Sequence, residues 1–233
     1  MKSLPRWISP TSRCFVARLL VAWLVTFVLA ASTAVAEPAR WRADIDKILA
    51  RDAANPPAEG GIVFVGSSSI TGWSTLKKDF PGLNVINHGF GGSQLADSVF
   101  YFDELVAARK PRAVVLYAGE NDLSAGATPE KVAEDFAAFR KKLHAALPQA
   151  RLIYIGCKPS PSRMQHWEKF QAANALIAAA CAQDARCTYV DMSPGMLNEQ
   201  RQPREELFRP DRLHLNAEGY AIWVRLLAPH LGS

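Results

Sequence analysis

The sequence predicts an α/β fold, a three-layer α/β/α sandwich around a five-stranded parallel sheet. Three observations carry this. Short runs of β-formers at 62–66, 83–87, 112–118, 151–156 and 187–191 alternate with segments whose apolar residues recur at helical spacing, the alternation that builds parallel βαβ units. The runs are nearly continuous in apolar residues, as strands covered on both faces are. Several also stop at a glycine or a polar group, where an open sheet of this kind forms its ligand crevice. With 233 residues, 49% hydrophobic and 21% charged, the chain is long enough for one sizeable core and is not of disordered composition.

The first 36 residues stand apart from that fold. Lys2, Arg6, Arg13 and Arg18 precede an apolar stretch from Leu19 to Ala31, and Ala34-Val35-Ala36 supplies small residues before a cleavage point, the pattern of a secretory signal. We expect a signal peptide over 1–36 and a single domain over 37–233, exported to the periplasm or secreted. The apolar stretch is shorter than the ~20 residues of a spanning helix, so no stable membrane span is expected after cleavage. The segment holds four basic and no acidic residues, so its removal takes the formal charge from +5 to +1. A nearly neutral domain gives no electrostatic footprint for nucleic acid. Cys181 and Cys187, six residues apart across a predicted helix end, are the expected disulfide in such a compartment, with Cys157 left as a buried thiol. Three free thiols is the alternative. No histidine or cysteine pair has metal-ligand spacing, so neither metal nor cofactor is expected.

In order, Trp41, Ile45, Ile48 and Leu49 mark a first helix ended by Asn55-Pro56-Pro57. Ile62 to Val65 is the first strand, broken at Gly66 into Ser67, Ser68 and Ser69. A short helix over 76–80 ends at Pro81-Gly82. The second strand, Leu83 to Asn87, runs into His88-Gly89-Phe90-Gly91-Gly92-Ser93, a glycine turn before a helix over 94–109. Such a turn lets backbone N–H groups approach a ligand, but it lacks the lysine and spacing of a phosphate loop. The third strand ends at Gly119-Glu120-Asn121-Asp122, where Asn121 and Asp122 could simply shape and cap a turn. Pro129 opens a helix to Ala146 with Val132, Phe136, Phe139 and Leu143 on one face. The fourth strand leads into a proline-marked loop, Lys158 to Arg163, then a helix over 164–182 and the fifth strand. A polar stretch over 192–209 reads as a long surface loop before Asp211-Arg212-Leu213-His214 and a last helix from Asn216.

Chemistry points to the serines and one histidine. Serine needs a neighbouring base. His88, His144, His166 and His230 read as structural, whereas His214 follows an aspartate by three residues, which can fix its tautomer. Taken singly, each motif is weak. In order, Phe64-Val65-Gly66-Ser67-Ser68-Ser69, Asn87-His88-Gly89-Phe90-Gly91-Gly92, Gly119-Glu120-Asn121-Asp122 and Asp211-Arg212-Leu213-His214 resemble the blocks of the SGNH hydrolases, the GDSL esterases and lipases, and most of all bacterial acylhydrolases similar to platelet-activating-factor acetylhydrolase. The resemblance spans about 60–227 and implies a flavodoxin-like SGNH hydrolase sheet. It departs at Ser67, where the family usually carries aspartate.

The resemblance implies a serine esterase with Ser68 as nucleophile, His214 as base, Asp211 as its orienting acid, and an oxyanion hole from the N–H groups of Ser68 and Gly92 and the Asn121 amide. The implied substrate is a small ester with a short acyl or acetyl group, possible carriers including carbohydrates. A lysophospholipase or thioesterase of the same family, or a non-catalytic glycan-binding protein on the same fold, are the alternatives. Trp73, Phe90, Met196 and Phe208 could line an acyl pocket or belong to the core, and Arg163 and Arg209 could meet an acidic group, with solvated surface the favoured reading.

Overall fold

The computed structural model describes residues 38–232. The signal segment and its cleavage point lie outside them. A 3₁₀ turn, Pro38–Trp41, leads into α1 (Arg42–Ala54). Then follow β1 (Ile62–Gly66), α2 (Ser68–Thr71), α3 (Leu76–Asp79), β2 (Val85–Gly89), α4 (Leu95–Phe100), α5 (Phe102–Leu105), β3 (Ala113–Tyr117), α6 (Glu120–Ser124) and α7 (Pro129–Ala146). The chain closes with β4 (Arg151–Ile155), α8 (Trp167–Ala182), β5 (Cys187–Val190), α9 (Ser193–Met196) and α10 (Ala217–Leu231).

All five strands are parallel and ordered β2-β1-β3-β4-β5. The predicted sandwich is what forms. Alternate strand residues face opposite layers, as the two-residue period requires. Val63, Val65, Val114, Leu116, Leu152 and Tyr154 pack with α1, α4, α5, α7 and α8. Ile62, Phe64, Val115, Tyr117, Ile153 and Ile155 pack with α2, α3, α9 and α10. This double burial explains why the strands lack polar alternation.

Departures from the expected elements are local. The helix expected over 94–109 is broken into α4, α5 and a 3₁₀ turn over Ala107–Arg109, with Tyr101 leaving helical geometry between α4 and α5. The loop over 192–209 contains α9 and a 3₁₀ turn at Glu205–Leu207, and its Met196 and Leu207 are buried. Those anchors make it part of the α10 layer rather than a free surface loop.

Cys181 and Cys187 form a disulfide, with Cα atoms 4.8 Å apart, that ties the end of α8 to the start of β5. Cys157 is a buried free thiol, and burial raises its pKa. Among the described residues no helix is long and apolar enough to cross a membrane.

The strand order puts the topological switch at β1. The chain leaves β1 for β2 on one side and returns to β3 on the other, so a crevice opens at the carboxyl ends between them. Gly66 is in register with both Gly89 and Tyr117. The turns after β1, β2 and β3 therefore meet at one place.

Candidate active site

Gly66 makes this meeting possible. Its φ is +127°, and a Cβ there would stand 2.0 Å from the Tyr117 carbonyl oxygen, so only glycine allows the two backbones to approach so closely. Ser67 N–H donates to Tyr117 O at 2.9 Å, and Phe90 N–H donates to Gly66 O at 2.9 Å. The chain turns at once into α2. Ser68 is its first residue and is half-buried, while Ser67 and Ser69 are buried.

His214 reaches Ser68 from the other end of the chain. Its Nε2 lies 3.0 Å from Ser68 Oγ, and its Nδ1 lies 2.7 Å from Asp211 Oδ2. The second Asp211 oxygen accepts the N–H groups of Leu213 and His214, each at 2.9 Å. Partial burial would raise the Asp211 carboxyl, but the His214 ring and these two N–H donors outweigh it and bring it down to about 2. With Nδ1 donating to that carboxylate, Nε2 is left to accept the serine proton. The loop is pinned where α10 begins. Asn216 caps α10 by accepting from Glu218 and Gly219 N–H, and the Tyr220 hydroxyl donates to Ser69 O at 2.9 Å.

The three donors the resemblance implies are the Ser68 and Gly92 N–H groups and the Asn121 amide. Among the described residues the Ser68 and Gly92 N–H groups have no acceptor. Gly92 has φ +81° and lies under the edge of Trp41, where a Cβ would stand 3.2 Å from the ring. Its neighbour Gly91 has space for a Cβ 3.9 Å from the Ser68 Cβ. The third donor, Asn121 Nδ2, lies within α6 rather than an open turn and donates to Ser67 Oγ at 2.7 Å and Ser93 O at 2.9 Å. The hydroxyl of Ser67, where the resembled family has a carboxylate, thus receives the Asn121 amide.

The chain matches the profile of the GDSL-like Lipase/Acylhydrolase family over residues 58–222. It belongs to that family. Membership makes the protein a serine hydrolase of carboxylic esters. It is 29% identical over 196 residues to human (Homo sapiens) platelet-activating factor acetylhydrolase IB subunit alpha1, covering 75% of this chain and 80% of that one. A GDSL-like lipase from Bacteroides thetaiotaomicron superposes with a TM-score of 0.70 at 23% identity, over 81% of this chain and 97% of that one. An acetylxylan esterase from Geobacillus stearothermophilus superposes with a TM-score of 0.60 at 15% identity, over 75% and 95%.

Other residues of this hydrolase fall where the sequence did not point. Asp122 caps a different element from the expected turn. Both its oxygens accept Leu95 N–H, at 3.0 and 3.2 Å, which ties the third motif to the helix after the glycine turn. Burial raises its carboxyl to about 6, against the pull of that N–H. Arg163 is not solvated surface: its Nη1 donates to Asn121 Oδ1 and Glu120 Oε1, both at 3.0 Å. Arg209 is exposed, as expected, while donating to Leu215 O at 2.9 Å and Gly72 O at 3.2 Å.

Sequence reasoning passed over Glu120 and Lys158. Glu120 is buried, and its Oε2 accepts from Lys158 Nζ at 2.8 Å and from the Tyr117 hydroxyl. Burial would raise the Glu120 carboxyl, yet the Lys158 and Arg163 cations hold it below the usual range. The available signal was two charged residues placed directly after apolar strands. His88 is buried as a structural residue, its ring between Leu105 O at 2.5 Å and Asp52 Oδ2 at 2.8 Å. Trp73, Phe90, Met196 and Phe208 are buried core side chains.

The depressed Asp211 carboxyl sets a pH dependence. It contributes stability that is fully present above the ordinary aspartate range, near 3.8, and is lost as pH falls through about 2. In thermal melts between pH 5 and pH 2, Asp211→Asn should therefore lose stability less steeply than the wild type. Parallel curves would mean that the His214 contact does not hold the carboxylate ionised.

Proposed function

We propose that this protein is an exported serine esterase that removes short acyl groups, acetyl foremost, through a covalent acyl-enzyme. The observation that carries this reading is the hydrogen-bonded chain from Ser68 Oγ through His214 to Asp211. As Ser68 Oγ attacks the ester carbonyl carbon, His214 Nε2 takes its proton, and Asp211 stabilises the imidazolium. The negative charge on the tetrahedral oxygen is met by the Ser68 and Gly92 N–H groups and the Asn121 amide. Asn121 exchanges the neutral Ser67 hydroxyl for a charged acceptor, a stronger hydrogen bond. Collapse expels the alcohol with the proton from His214. Water then attacks the acyl-enzyme, giving its proton to His214, which returns it to Ser68 Oγ as the acyl–oxygen bond breaks and the acid leaves.

A short acyl group is supported by two features. Phe90, Met196 and Phe208, which could have lined an acyl tunnel, are spent in the core. A cavity of about 650 Å³ opens beside Gly91, without including Ser68 itself, and Asp44, Lys47, Arg51 and Thr71 line it together with the apolar Ile48 and Trp73. The charged and hydroxyl groups in that mixed lining offer hydrogen-bond partners to a hydroxyl-rich alcohol such as a carbohydrate. The names of the acetylhydrolase and the acetylxylan esterase it resembles agree on removal of an acetyl group. Export is supported by the amino-terminal pattern and by the disulfide, which persists in oxidising compartments. Mature protein from a secreting host should begin at Glu37, and an intact amino terminus would overturn cleavage in favour of a retained anchor.

On p-nitrophenyl acetate, Ser68→Ala should abolish turnover and labelling by a fluorophosphonate while the protein remains folded. Asn121→Ala should lower kcat on the order of a hundredfold with KM little changed. Retained activity in the first variant would exclude Ser68 as nucleophile, and a KM effect alone in the second would remove Asn121 from the oxyanion hole. Across acyl lengths, kcat/KM should be highest for acetyl esters and acetylated sugars. A maximum at long acyl chains would favour the lysophospholipase or thioesterase alternative.

A further inference from the structure

Two cations converge on one buried carboxylate beside the proposed oxyanion hole. Lys158 and Glu120 are 1% and 4% exposed, and Arg163 completes the cluster with its side chain 21% exposed. Lys158 Nζ also reaches the Tyr117 hydroxyl at 3.3 Å. Apolar packing generally stabilises a fold as well as a buried ionic cluster does. The arrangement therefore calls for a reason other than stability.

Asn121 supplies one. A carboxamide has nearly the same shape when flipped, so its surroundings alone decide which side presents the donors. Arg163 Nη1 on Asn121 Oδ1 fixes that choice, because the flipped form would set the amide NH₂ against a guanidinium. Nδ2 is thereby held towards Ser67 and Ser93, on the nucleophile's side. A cation on the amide oxygen also polarises the amide and strengthens its N–H donors. Glu120, anchored by Lys158, in turn accepts from Arg163 and fixes the guanidinium. With one negative and two positive groups, the cluster carries one positive charge in excess beside the place where an anion would form.

We propose that Arg163, held by Glu120 and Lys158, is a positioning residue that orients the Asn121 amide towards the oxyanion and adds positive charge behind it. This rests on the esterase reading above. Arg163→Met is the informative variant, since Lys158 still neutralises Glu120 and the buried carboxylate is not left alone. It should lower kcat on p-nitrophenyl acetate about ten- to a hundredfold, at most the loss from deleting the donor itself, with KM within about twofold. Arg163→Lys should recover part of that loss. In an Asn121→Ala background, Arg163→Met should cost less than about twofold more, because residues acting as one unit are non-additive.

Wild-type kcat in Arg163→Met, or an equal loss in both backgrounds, would overturn the proposal. A wild type that hydrolyses no ester would overturn the esterase reading instead. In that case the Asn121 side-chain amide resonances, assigned by their absence in Asn121→Ala, decide the positioning claim alone. They should shift in Arg163→Met and return towards wild type in Arg163→Lys, and unmoved resonances would overturn it.

Discussion

The site depends on one close approach of backbone to backbone. At Gly66 the central strand lies so near Tyr117 that any side chain would overlap its carbonyl. Because β1 has β2 on one side and β3 on the other, this residue is in register with both neighbours. Three turns from distant parts of the chain are brought together by main-chain hydrogen bonds, which are short and directional. A substitution at Gly66 would move the Ser68 turn away from the turns after β2 and β3 at once.

Around that junction, polar groups hold each other in fixed places. Asp122 links the end of β3 to the first turn of α4, and Tyr220 links α10 to Ser69. Arg209 ties the loop bearing His214 to Gly72, just past α2. Donors set before the reaction need little reorganisation when charge develops, which is where electrostatic catalysis gains most. Arg163 and Glu120 extend the same device one step behind Asn121. The whole assembly stands on the rigid carboxyl edge of the sheet rather than on long free loops.

The sandwich and the order of its strands' chemical endings were legible in the sequence. Apolar runs covered on both faces leave a continuous pattern, and the polar groups at their ends stand out against it. Ser68, Gly92, Asn121, Asp211 and His214 stood out as candidates because each lies in a short local motif, and Cys181 and Cys187 because a six-residue separation spans a helix end and a strand start. Each of these signals is local in the chain, so sequence by itself determined them.

Tertiary structure alone decided the partners. Arg163 read as solvated surface because its partners Asn121 and Glu120 are more than forty residues away. Asp122 read as a turn cap because nothing local ties it to Leu95, and Trp73 or Phe208 could not be assigned to core or pocket until their neighbours were in place. The physical reason is common to all of them. A charge or an aromatic ring has the same identity in the chain whether it is solvated, paired or packed, and only the fold sets which groups stand within a few ångströms of it.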